Sequence, residues 1–360
     1  MESTPPPEPH AQPPLRAEMV QPSPLSPPPP RRRRTGCLLL LIVLLGLGGL
    51  SLFGLILSGQ MGLVAFGSER HVREEFVSHN RFGSDKVAII TLKGVIVSGE
   101  GHMKRQIDQA LEDKKVKAVV LRVDSPGGTV SGSDYIYHYM RRMAEERGIP
   151  IVVSMSSIAA SGGYYVSMAV GSTPDSIFAE PTTWTGSIGV KIPHYDLSKL
   201  LADWGIKEDT IASHHLKTMG SFAKPMSEEE RKIFQGLVDD SFDRFKQIIR
   251  DGRPEFAKNP EALDKLATGQ VYTADQALEN GLVDKIGFVE DAVDRAIELA
   301  GLDGQKVRVV KYKREPTLAS ILTGSESRST QLDLASLFDV TTPRAYYLHT
   351  WMPAAFSNGQ

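Results

Sequence analysis

The serine in segment 159–165 (AASGGYY) has the surroundings of a catalytic nucleophile. A predicted strand precedes Ser161, a predicted helix follows it, and its neighbours are small. A serine at the start of a helix is accessible, and the helix dipole favours negative charge on its oxygen. The commonest role of a serine at this position, however, is to cap the helix. The motif also lacks the first glycine of the G-x-S-x-G elbow, because Ala159 takes that position. Taken alone, these residues favour the cap over the nucleophile.

A second glycine-rich turn, segment 124–128 (DSPGG), also lies between a predicted strand and a predicted helix. Gly127 and Gly128 can adopt backbone conformations that other residues avoid, which leaves N–H groups free at the helix N-terminus. Such a nest can stabilise a developing oxyanion. A tight strand-to-helix turn without a chemical role explains the same residues equally well.

A nucleophilic serine also needs a general base, and no histidine stands out for that role. A Ser-His-Asp hydrolase of the elbow type would need an Asp and then a His after Ser161, and no His of the domain has a distinctive flanking pattern. Lys217 lies in a polar segment between two helical regions, but burial would have to lower its pKa from about 10.4 towards neutrality. Most loop lysines are solvated, and Lys224 is a second lysine nearby, so spacing leaves the base open.

Composition and missing motifs exclude several classes of protein. The chain has 360 residues, a formal net charge of −2 and a single cysteine, Cys37. This charge argues against a nucleic-acid binder, and one cysteine excludes internal disulfides and cysteine-rich metal sites. The sequence has no G-x-x-x-x-G-K-[ST], G-x-G-x-x-G or H-E-x-x-H motif. The adjacent His214 and His215 would point apart on a regular element and make a poor metal pair. We therefore expect neither a cofactor nor a metal.

Strand-like and helix-like patterns alternate over residues 85–314, which predicts an α/β domain. Short β-branched runs predict strands, and amphipathic stretches between them predict helices. The predicted strands are 86–92, 117–124 and 149–154, and the predicted helices are 102–113, 131–147, 260–267, 273–280 and 288–300. This alternation indicates a mostly parallel sheet covered on both faces.

A long amphipathic helix is predicted to follow the capping box at 227–230 (SEEE) and to end at Gly252 and Pro254. Apolar residues at helical spacing define its predicted buried stripe, which includes Ile233, Leu237, Phe242, Phe245 and Ile249.

The first 60 residues predict a cytoplasmic tail and a membrane anchor. Residues 1–30 hold 12 of the 23 prolines, and we interpret 1–34 as a disordered tail ending in the four arginines 31–34. The apolar run 38–57 has no charged residue and would span about 30 Å as a helix, the thickness of a bilayer's hydrocarbon core. We assign 35–60 to this anchor, with the lipid bilayer as its partner. Because the arginines precede it, the N-terminus is expected in the cytoplasm and the rest beyond the membrane.

Two further segments flank the predicted domain. We interpret residues 61–84 as a linker and residues 315–360 as a C-terminal tail. The tail lacks strong periodicity but carries an aromatic cluster at 345–352 (AYYLHTWM). Such a cluster commonly marks a contact surface. We consider docking on a neighbouring protomer and occlusion of a substrate groove, with plain disorder as the alternative.

Four motifs in order resemble the signal peptide peptidase A family: 119–128 (VVLRVDSPGG), 159–165, 185–190 (TGSIGV) and 217–221 (KTMGS). The resemblance covers residues 85–304 and implies a Clp protease/crotonase-like fold of repeated ββα-type units, here preceded by one transmembrane helix. It implies a serine endopeptidase in which Ser161 is the nucleophile and Lys217 the general base. Ser187 matches the serine that orients this lysine, and Gly128 matches the oxyanion-hole donor.

The resemblance also implies a substrate, a location and an assembly. Members of the family are membrane-bound, so we expect this protein to degrade cleaved signal peptides and other apolar peptides on the extracytoplasmic (periplasmic) side of a bacterial inner membrane. The single catalytic domain resembles the family's short form, in which serine and lysine come from neighbouring protomers of a ring-shaped homo-oligomer such as an octamer. One departure is segment 221–226 (SFAKPM), where the family usually has S-P-F-R-P-M.

Two other functions stay open at this stage. A crotonase-like enzyme acting on acyl thioesters would explain the Gly-Gly turn, but it leaves Ser161, Ser187 and Lys217 without a role. A membrane-anchored, non-catalytic scaffold would keep the fold, although all of the expected catalytic residue types are present.

Overall fold

The computed structural model describes residues 72–314 and the backbone of a short strand at 346–348. The proline-rich tail, the apolar run 38–57 and most of the C-terminal tail lie outside these residues, so the roles assigned to them stay predictions. In the part of the chain that is described, no helix is both long and apolar enough to cross a bilayer.

Strands and helices alternate along the described chain. The strands are β1 (Val72–His79), β2 (Asp85–Lys93), β3 (Val116–Ser125), β4 (Gly127–Thr129), β5 (Ile151–Ala160), β6 (Ile177–Ala179), β7 (Trp184–Gly186), β8 (Val271–Thr273), β9 (Lys285–Ile286), β10 (Val307–Arg314) and β11 (Tyr346–Leu348). The helices are α1 (His102–Glu112), α2 (Val130–Arg147), α3 (Gly162–Ser167), α4 (Ser198–Asp203), α5 (Glu228–Gly252), α6 (Pro254–Lys258), α7 (Pro260–Leu266), α8 (Ala274–Glu279) and α9 (Val289–Leu299).

Nine strands form one mainly parallel sheet. Their order is β1-β10-β2-β3-β5-β6-β9, with β7 beside β5 and β8 beside β7. Neighbouring strands are parallel except in the β1–β10 and β7–β8 pairs. β4 lies outside this sheet and pairs with β11 in a separate ladder. The predicted α/β class is confirmed, whereas the closer likeness to Clp protease and the crotonases stays a prediction.

Apolar side chains cover both faces of the sheet, as the alternation of elements predicts. Residues along β3 alternate between the two sides, with Val119 and Leu121 in the larger core and Ala118 and Val120 in the smaller one. The larger core includes side chains from α1, α2, α3 and α5, and the smaller core includes side chains from α9. Burial on both faces is what a parallel sheet requires.

The long helix α5 begins as predicted but buries a different side of its first turns. The Glu230 N–H donates to the Ser227 hydroxyl at 3.2 Å, and the Ser227 N–H donates to the Glu230 carboxylate at 3.0 Å, which completes the capping box. Ile233 and Leu237 are 36% and 49% exposed, so their predicted burial was wrong. Glu230 and Phe234 are buried instead, and the buried Glu230 carboxylate pairs with Lys224, which precedes the helix.

Strand β1 lies within segment 61–84, for which the sequence predicts a linker. It pairs antiparallel with β10, Val72 opposite Arg314, and forms one edge of the sheet. The folded domain therefore begins no later than Val72.

Candidate active site

Two serines leave the sheet side by side at the carboxyl ends of parallel strands. Ser161 follows the last residue of β5, and Ser187 follows the last residue of β7. These strands are parallel neighbours with Ala160 opposite Gly186, and the Ser161 N–H donates to the Gly186 carbonyl at 2.8 Å. The register of two strands thus brings together residues that are far apart in the sequence.

The glycine turn 127–128 packs against the residue that follows Ser161. A Cβ added to Gly162 would lie 3.1 Å from the Cα of Gly127 and 3.2 Å from the nitrogen of Gly128, and it would overlap the Ser133 hydroxyl. Glycine suits this contact, because any Cβ would displace the Ser133 hydroxyl and press on the backbone of Gly127 and Gly128. The two glycine-rich turns found in the sequence therefore form one structure.

Ser161 has a backbone conformation with positive φ, which residues other than glycine rarely adopt. Its φ is 55° and its ψ is −113°, and its side chain makes no capping hydrogen bond to α3. The residue is 1% exposed. Ser161 thus stands at the N-cap position of α3 but does not cap the helix with its side chain, so the role that the isolated motif favours does not explain this residue. Strained backbone of this kind costs about 1–3 kcal/mol and concentrates at functional sites, including the nucleophile elbow of hydrolases.

Ser187 shares the positive φ of Ser161. Its φ is 52°, and its N–H donates to the Gln270 carbonyl at 2.6 Å, which ties the loop after β7 to the start of β8. The residue is 6% exposed. Nothing in a single sequence reveals a positive φ at a serine, so this second strained serine was predicted only through the family motif.

Gly128 lies in a short strand rather than directly at a helix N-terminus, which differs from the expected turn. The Thr129 N–H donates to the Ile96 carbonyl at 2.7 Å, and the Ile96 N–H donates to the Gly127 carbonyl at 2.8 Å. A Cβ on Gly128 would overlap the Ile96 carbonyl. Thr129 then caps α2 by accepting a hydrogen bond from the Gly132 N–H. We call Ser161, Ser187 and Gly128 the serine site.

Lys217 lies apart from this group. It is exposed on a 3-10 turn, His215–Thr218. Within residues 72–314, no hydrogen bond or ion pair holds its ammonium group, and none joins it to Ser161 or Ser187. The described single chain thus brings together three of the four predicted site residues and leaves the predicted base outside.

The second candidate lysine is engaged elsewhere. The Lys224 ammonium pairs with the carboxylate of Glu230, which is 2% exposed. Burial favours the protonated Glu230, but hydrogen bonds from Lys224 and the Ser227 N–H outweigh it and lower the pKa of this carboxyl. In the described structure the Lys224 ammonium therefore serves as the partner of the buried Glu230 carboxylate.

The sequence motifs predict no role for a third lysine, Lys191. It lies four residues after Ser187, and partial burial lowers the pKa of its ammonium group. Its position just beyond the family motif 185–190 was the only signal in the sequence. A lowered pKa is a property that a lysine base needs, so Lys191 must be compared with Lys217 in any test.

Lys217 belongs to a segment with much exposed apolar surface, residues 191–226, which we call the lysine segment. It is held by hydrogen bonds such as Leu197 N–H to the Phe222 carbonyl at 2.8 Å, and by the Lys224–Glu230 pair. Its exposed large apolar side chains are Tyr195, Leu197, Leu200, Trp204, Ile206, Ile211 and Phe222. A concentration of this kind is typical of a surface that another molecule covers.

The chemical groups that meet at the serine site are two hydroxyls and backbone N–H groups. This set suits attack on a carbonyl carbon and stabilisation of the resulting oxyanion. Within the described residues, no group of three or more His, Cys, Asp or Glu side chains could hold a metal ion.

Comparisons with known proteins agree with this chemistry. Residues 143–303 match the family model described as peptidase family S49. A Synechocystis protein named as a protease, slr0021, is 37% identical over 68% of this chain and 84% of its own length. An Enterococcus faecium protein named for signal peptide peptidase SppA is 37% identical over 64% of this chain and 68% of its own length. Protease 4 of Salmonella typhi is 36% identical over 71% of this chain, but the match spans only 41% of that longer protein.

The strained serine between two glycine turns and the matches to proteases lead to one assignment. The chain belongs to peptidase family S49, the signal peptide peptidase A family, and is a protease.

Proposed function

We propose that this protein is a membrane-anchored serine endopeptidase whose Ser161–Lys217 dyad degrades cleaved signal peptides and other apolar peptides. The backbone of Ser161 carries the proposal, since a buried serine with φ 55° against a glycine turn has no structural explanation as a helix cap. An active-site role explains both the strain and the glycines around it.

The mechanism assigns one step to each group. Neutral Lys217, oriented by Ser187, accepts the Ser161 hydroxyl proton while Oγ attacks the peptide carbonyl. The Gly128 N–H stabilises the oxyanion. Protonated Lys217 then donates its proton to the leaving amine as the C–N bond breaks, and an acyl-enzyme is formed. Lys217 next accepts a proton from water as the water attacks the ester, and it returns that proton to Ser161 as the acid leaves.

A second copy of the chain supplies Lys217 in this proposal. Lys217 is exposed and without a partner in the described residues, and the segment around it is rich in exposed apolar side chains. Docking on a neighbour would bury these side chains and desolvate the lysine, which lowers its pKa as a base requires. Repetition of such a head-to-tail contact closes a ring.

The location follows from the N-terminal sequence. The apolar run 38–57 after arginines 31–34 would anchor the chain with the N-terminus in the cytoplasm and the catalytic domain on the periplasmic side of a bacterial inner membrane. Tethering at the bilayer suits apolar peptides that are released there. Such peptides would bind as extended strands.

The test compares single variants of the full chain in detergent, assayed on an apolar fluorogenic peptide and with a fluorophosphonate probe. Ser161→Ala and Lys217→Ala should lower kcat/KM by about 10³-fold or more. Lys191→Ala should keep the activity, and Lys224→Ala should lower it far less than Lys217→Ala, because it removes only the ion pair with Glu230. Loss of activity in Lys191→Ala with retention in Lys217→Ala would move the base to Lys191. Absence of labelling in a folded, assembled wild type would favour the scaffold, and thioester hydrolysis without peptidase activity would favour the crotonase-like enzyme.

A mixing experiment tests the shared site. Neither the Ser161→Ala chain nor the Lys217→Ala chain is active alone, but in mixed assemblies about one quarter of the sites combine an intact serine with a neighbour's intact lysine. Activity should therefore return to a substantial fraction of the wild type after co-dissociation and reassembly. If both residues act within one chain, mixing restores nothing.

A further inference from the structure

Ser125 is a buried serine beside the serine site to which the mechanism above gives no role. It is the last residue of β3, is 0% exposed, and lies opposite Ala159, two residues before Ser161. A Cβ added to Gly163 would lie 2.7 Å from the Ser125 carbonyl oxygen, so the start of α3 packs directly against this residue. A hydroxyl buried in such a place needs hydrogen-bond partners, and the partners of Ser125 indicate what it does.

The Ser125 hydroxyl makes two hydrogen bonds to the backbone, in two different segments. It donates to the carbonyl of Gly94, the first residue after β2, at 2.6 Å. It also accepts from the Gly127 N–H at 3.1 Å, which is the bond of a serine to the backbone two residues later that stabilises many turns. One hydroxyl therefore joins the loop that begins at Gly94 to the glycine turn 127–128.

The same loop fixes the direction in which the Gly128 N–H points. The Ile96 N–H donates to the Gly127 carbonyl at 2.8 Å, so the peptide between Gly127 and Gly128 has its oxygen towards Ile96. The carbonyl and the N–H of a planar trans peptide point in opposite directions. The Gly128 N–H therefore points away from Ile96, and its direction depends on where the loop lies relative to the turn.

The glycine turn needs a contact that holds it. Gly127 has a φ of 97°, and as a glycine it has other backbone conformations open to it at little cost. An oxyanion donor is effective only when it is already directed at the position of the oxyanion. Loss of the contact that joins loop and turn would thus weaken catalysis even if the chain stayed folded.

We propose that Ser125 is a positioning residue of the oxyanion hole, whose hydroxyl holds the loop that begins at Gly94 against the glycine turn and thereby directs the Gly128 N–H. This inference rests on the proposed function, because it takes Gly128 as the oxyanion donor. Ser125 acts through the backbone and takes no part in proton transfer. Its removal should therefore lower kcat and leave the binding of the substrate unchanged.

The first experiment places two side chains of nearly equal shape at position 125, one with a hydroxyl and one without. Ser125→Thr and Ser125→Val add the same bulk, so the cost of packing is shared and only threonine keeps the hydroxyl. In the full chain in detergent, kcat on the apolar peptide should be about tenfold or more higher for Ser125→Thr than for Ser125→Val. Equal kcat values would overturn the proposal.

Ser125→Ala adds no bulk and separates positioning from stability. It should lower kcat by about 10- to 100-fold and leave KM within about twofold of the wild type. Ser176→Ala is the matched control, because Ser176 is also 0% exposed and its hydroxyl donates to the Thr173 carbonyl at 2.6 Å. Ser176 lies just before β6, at the amino end of a parallel strand and away from the carboxyl ends that carry the serine site.

Both alanine variants leave one backbone carbonyl without its hydroxyl donor. We expect Tm to fall in both by about 2–6 °C, but kcat should fall only in Ser125→Ala. An equal fall of kcat in the two variants would show that activity merely follows stability and would contradict the proposal. A rise in KM with unchanged kcat would contradict it as well.

Hydrogen–deuterium exchange follows the turn without catalysis. In Ser125→Ala the amides of segments 94–97 and 127–129 should exchange about tenfold or more faster than in the wild type, because both hydrogen bonds of the hydroxyl are lost. Ser176→Ala should leave these amides unchanged. Unchanged exchange in Ser125→Ala would overturn the proposal. Faster exchange in a chain whose wild type has no peptidase activity would contradict the proposed function and not the hold of Ser125 on the turn.

Discussion

The serine site and the lysine segment are built in opposite ways. The serine site is buried, and its backbone is closely enclosed: a Cβ on Gly128 would overlap the Ile96 backbone, and a Cβ on Gly162 would displace the Ser133 hydroxyl. The lysine segment contacts helix α5 through the Lys224–Glu230 and His215–Glu229 pairs, and it exposes large apolar side chains. One chain is therefore sufficient to shape the serine site, whereas it leaves Lys217 without a partner in the described residues.

This contrast has a physical cause. Close packing around a glycine turn is steric and independent of other molecules, so it persists in a monomer. Burial lowers the pKa of a lysine, and a segment that is exposed to solvent does not bury its side chains. A protease arranged in this way would keep a preformed nucleophile and gain its base upon assembly. The following predictions test the contrast by changing one region at a time.

The largest effect is expected for Gly162→Ala in the serine site. The added Cβ would overlap the Ser133 hydroxyl and press on the backbone of turn 127–128, so we expect the free energy of unfolding to fall by about 3 kcal/mol, the upper end of the usual cost of overpacking. Gly205→Ala in the lysine segment meets open space and only a positive φ of 71°, which costs about 1–2 kcal/mol. Urea denaturation measures both.

Gly236→Ala is the control for this pair. Gly236 lies inside α5 with open space at its Cβ, so alanine should stabilise the chain by about 0.5–1 kcal/mol. If Gly162→Ala were as mild as Gly205→Ala, the steric account of the serine site would be wrong.

The next effect concerns the ion pair that anchors the lysine segment. Lys224→Met leaves the buried Glu230 carboxylate without its cation, which should cost about 1–3 kcal/mol of stability. We also expect kcat/KM to fall, because the segment that carries Lys217 loses its anchor. Lys232→Met, at an exposed position of α5, is the matched control and should change stability by less than about 0.5 kcal/mol.

Glu230 also predicts the direction of a pH effect. Although burial opposes it, hydrogen bonds from Lys224 and Ser227 lower the pKa of Glu230 below its usual 4.5, so the folded state binds this proton less readily than the unfolded state. The stabilisation is complete above pH 4.5 and is lost as the pH falls through the folded-state pKa. Glu230→Gln should flatten this part of a plot of Tm against pH. An unchanged slope would contradict the prediction.

A smaller effect should reveal the strain at Ser161. Glycine tolerates φ 55° better than alanine, so Ser161→Gly should be more stable than Ser161→Ala by about 1 kcal/mol. In the interior of strand β5, the order should reverse, and Ser156→Gly should be less stable than Ser156→Ala by about 0.5–1 kcal/mol. Thermal unfolding of the four variants gives the comparison, and the same order at both positions would remove the argument for strain.

The smallest effect on stability, but a large one on assembly, is expected for Trp204→Ser. Trp204 is 73% exposed in the lysine segment, so its replacement should leave Tm within about 2 °C in the monomer and weaken association. Phe82→Ser, at a residue that is 93% exposed but lies outside the segment, should leave association unchanged. Sedimentation velocity measures both. Equal sedimentation of wild type and Trp204→Ser would show that the lysine segment is not an assembly surface.

Local signals predicted most of the described fold. β2 and β3 agree with their predicted bounds to within one residue, and α2 agrees to within one residue at its start. The capping box at Ser227 forms both of its hydrogen bonds. These features depend on side-chain periodicity and on contacts within one helical turn, which a sequence contains directly. The sequence underestimates the length of β5, because four of its last six residues are Ser or Ala and only Ile158 among the six is β-branched.

By itself the sequence determined which residue types were available for chemistry and which elements they follow. The serine follows β5, the two glycines follow β3, and the lysines follow β7. Only the tertiary structure decided that Ala160 is opposite Gly186, that Ser161 is strained rather than a cap, that Glu230 holds Lys224, and that the strand 346–348 lies beside Gly128. The physical reason is that strand register, steric enclosure and burial arise from residues distant in the chain, and no short motif encodes them.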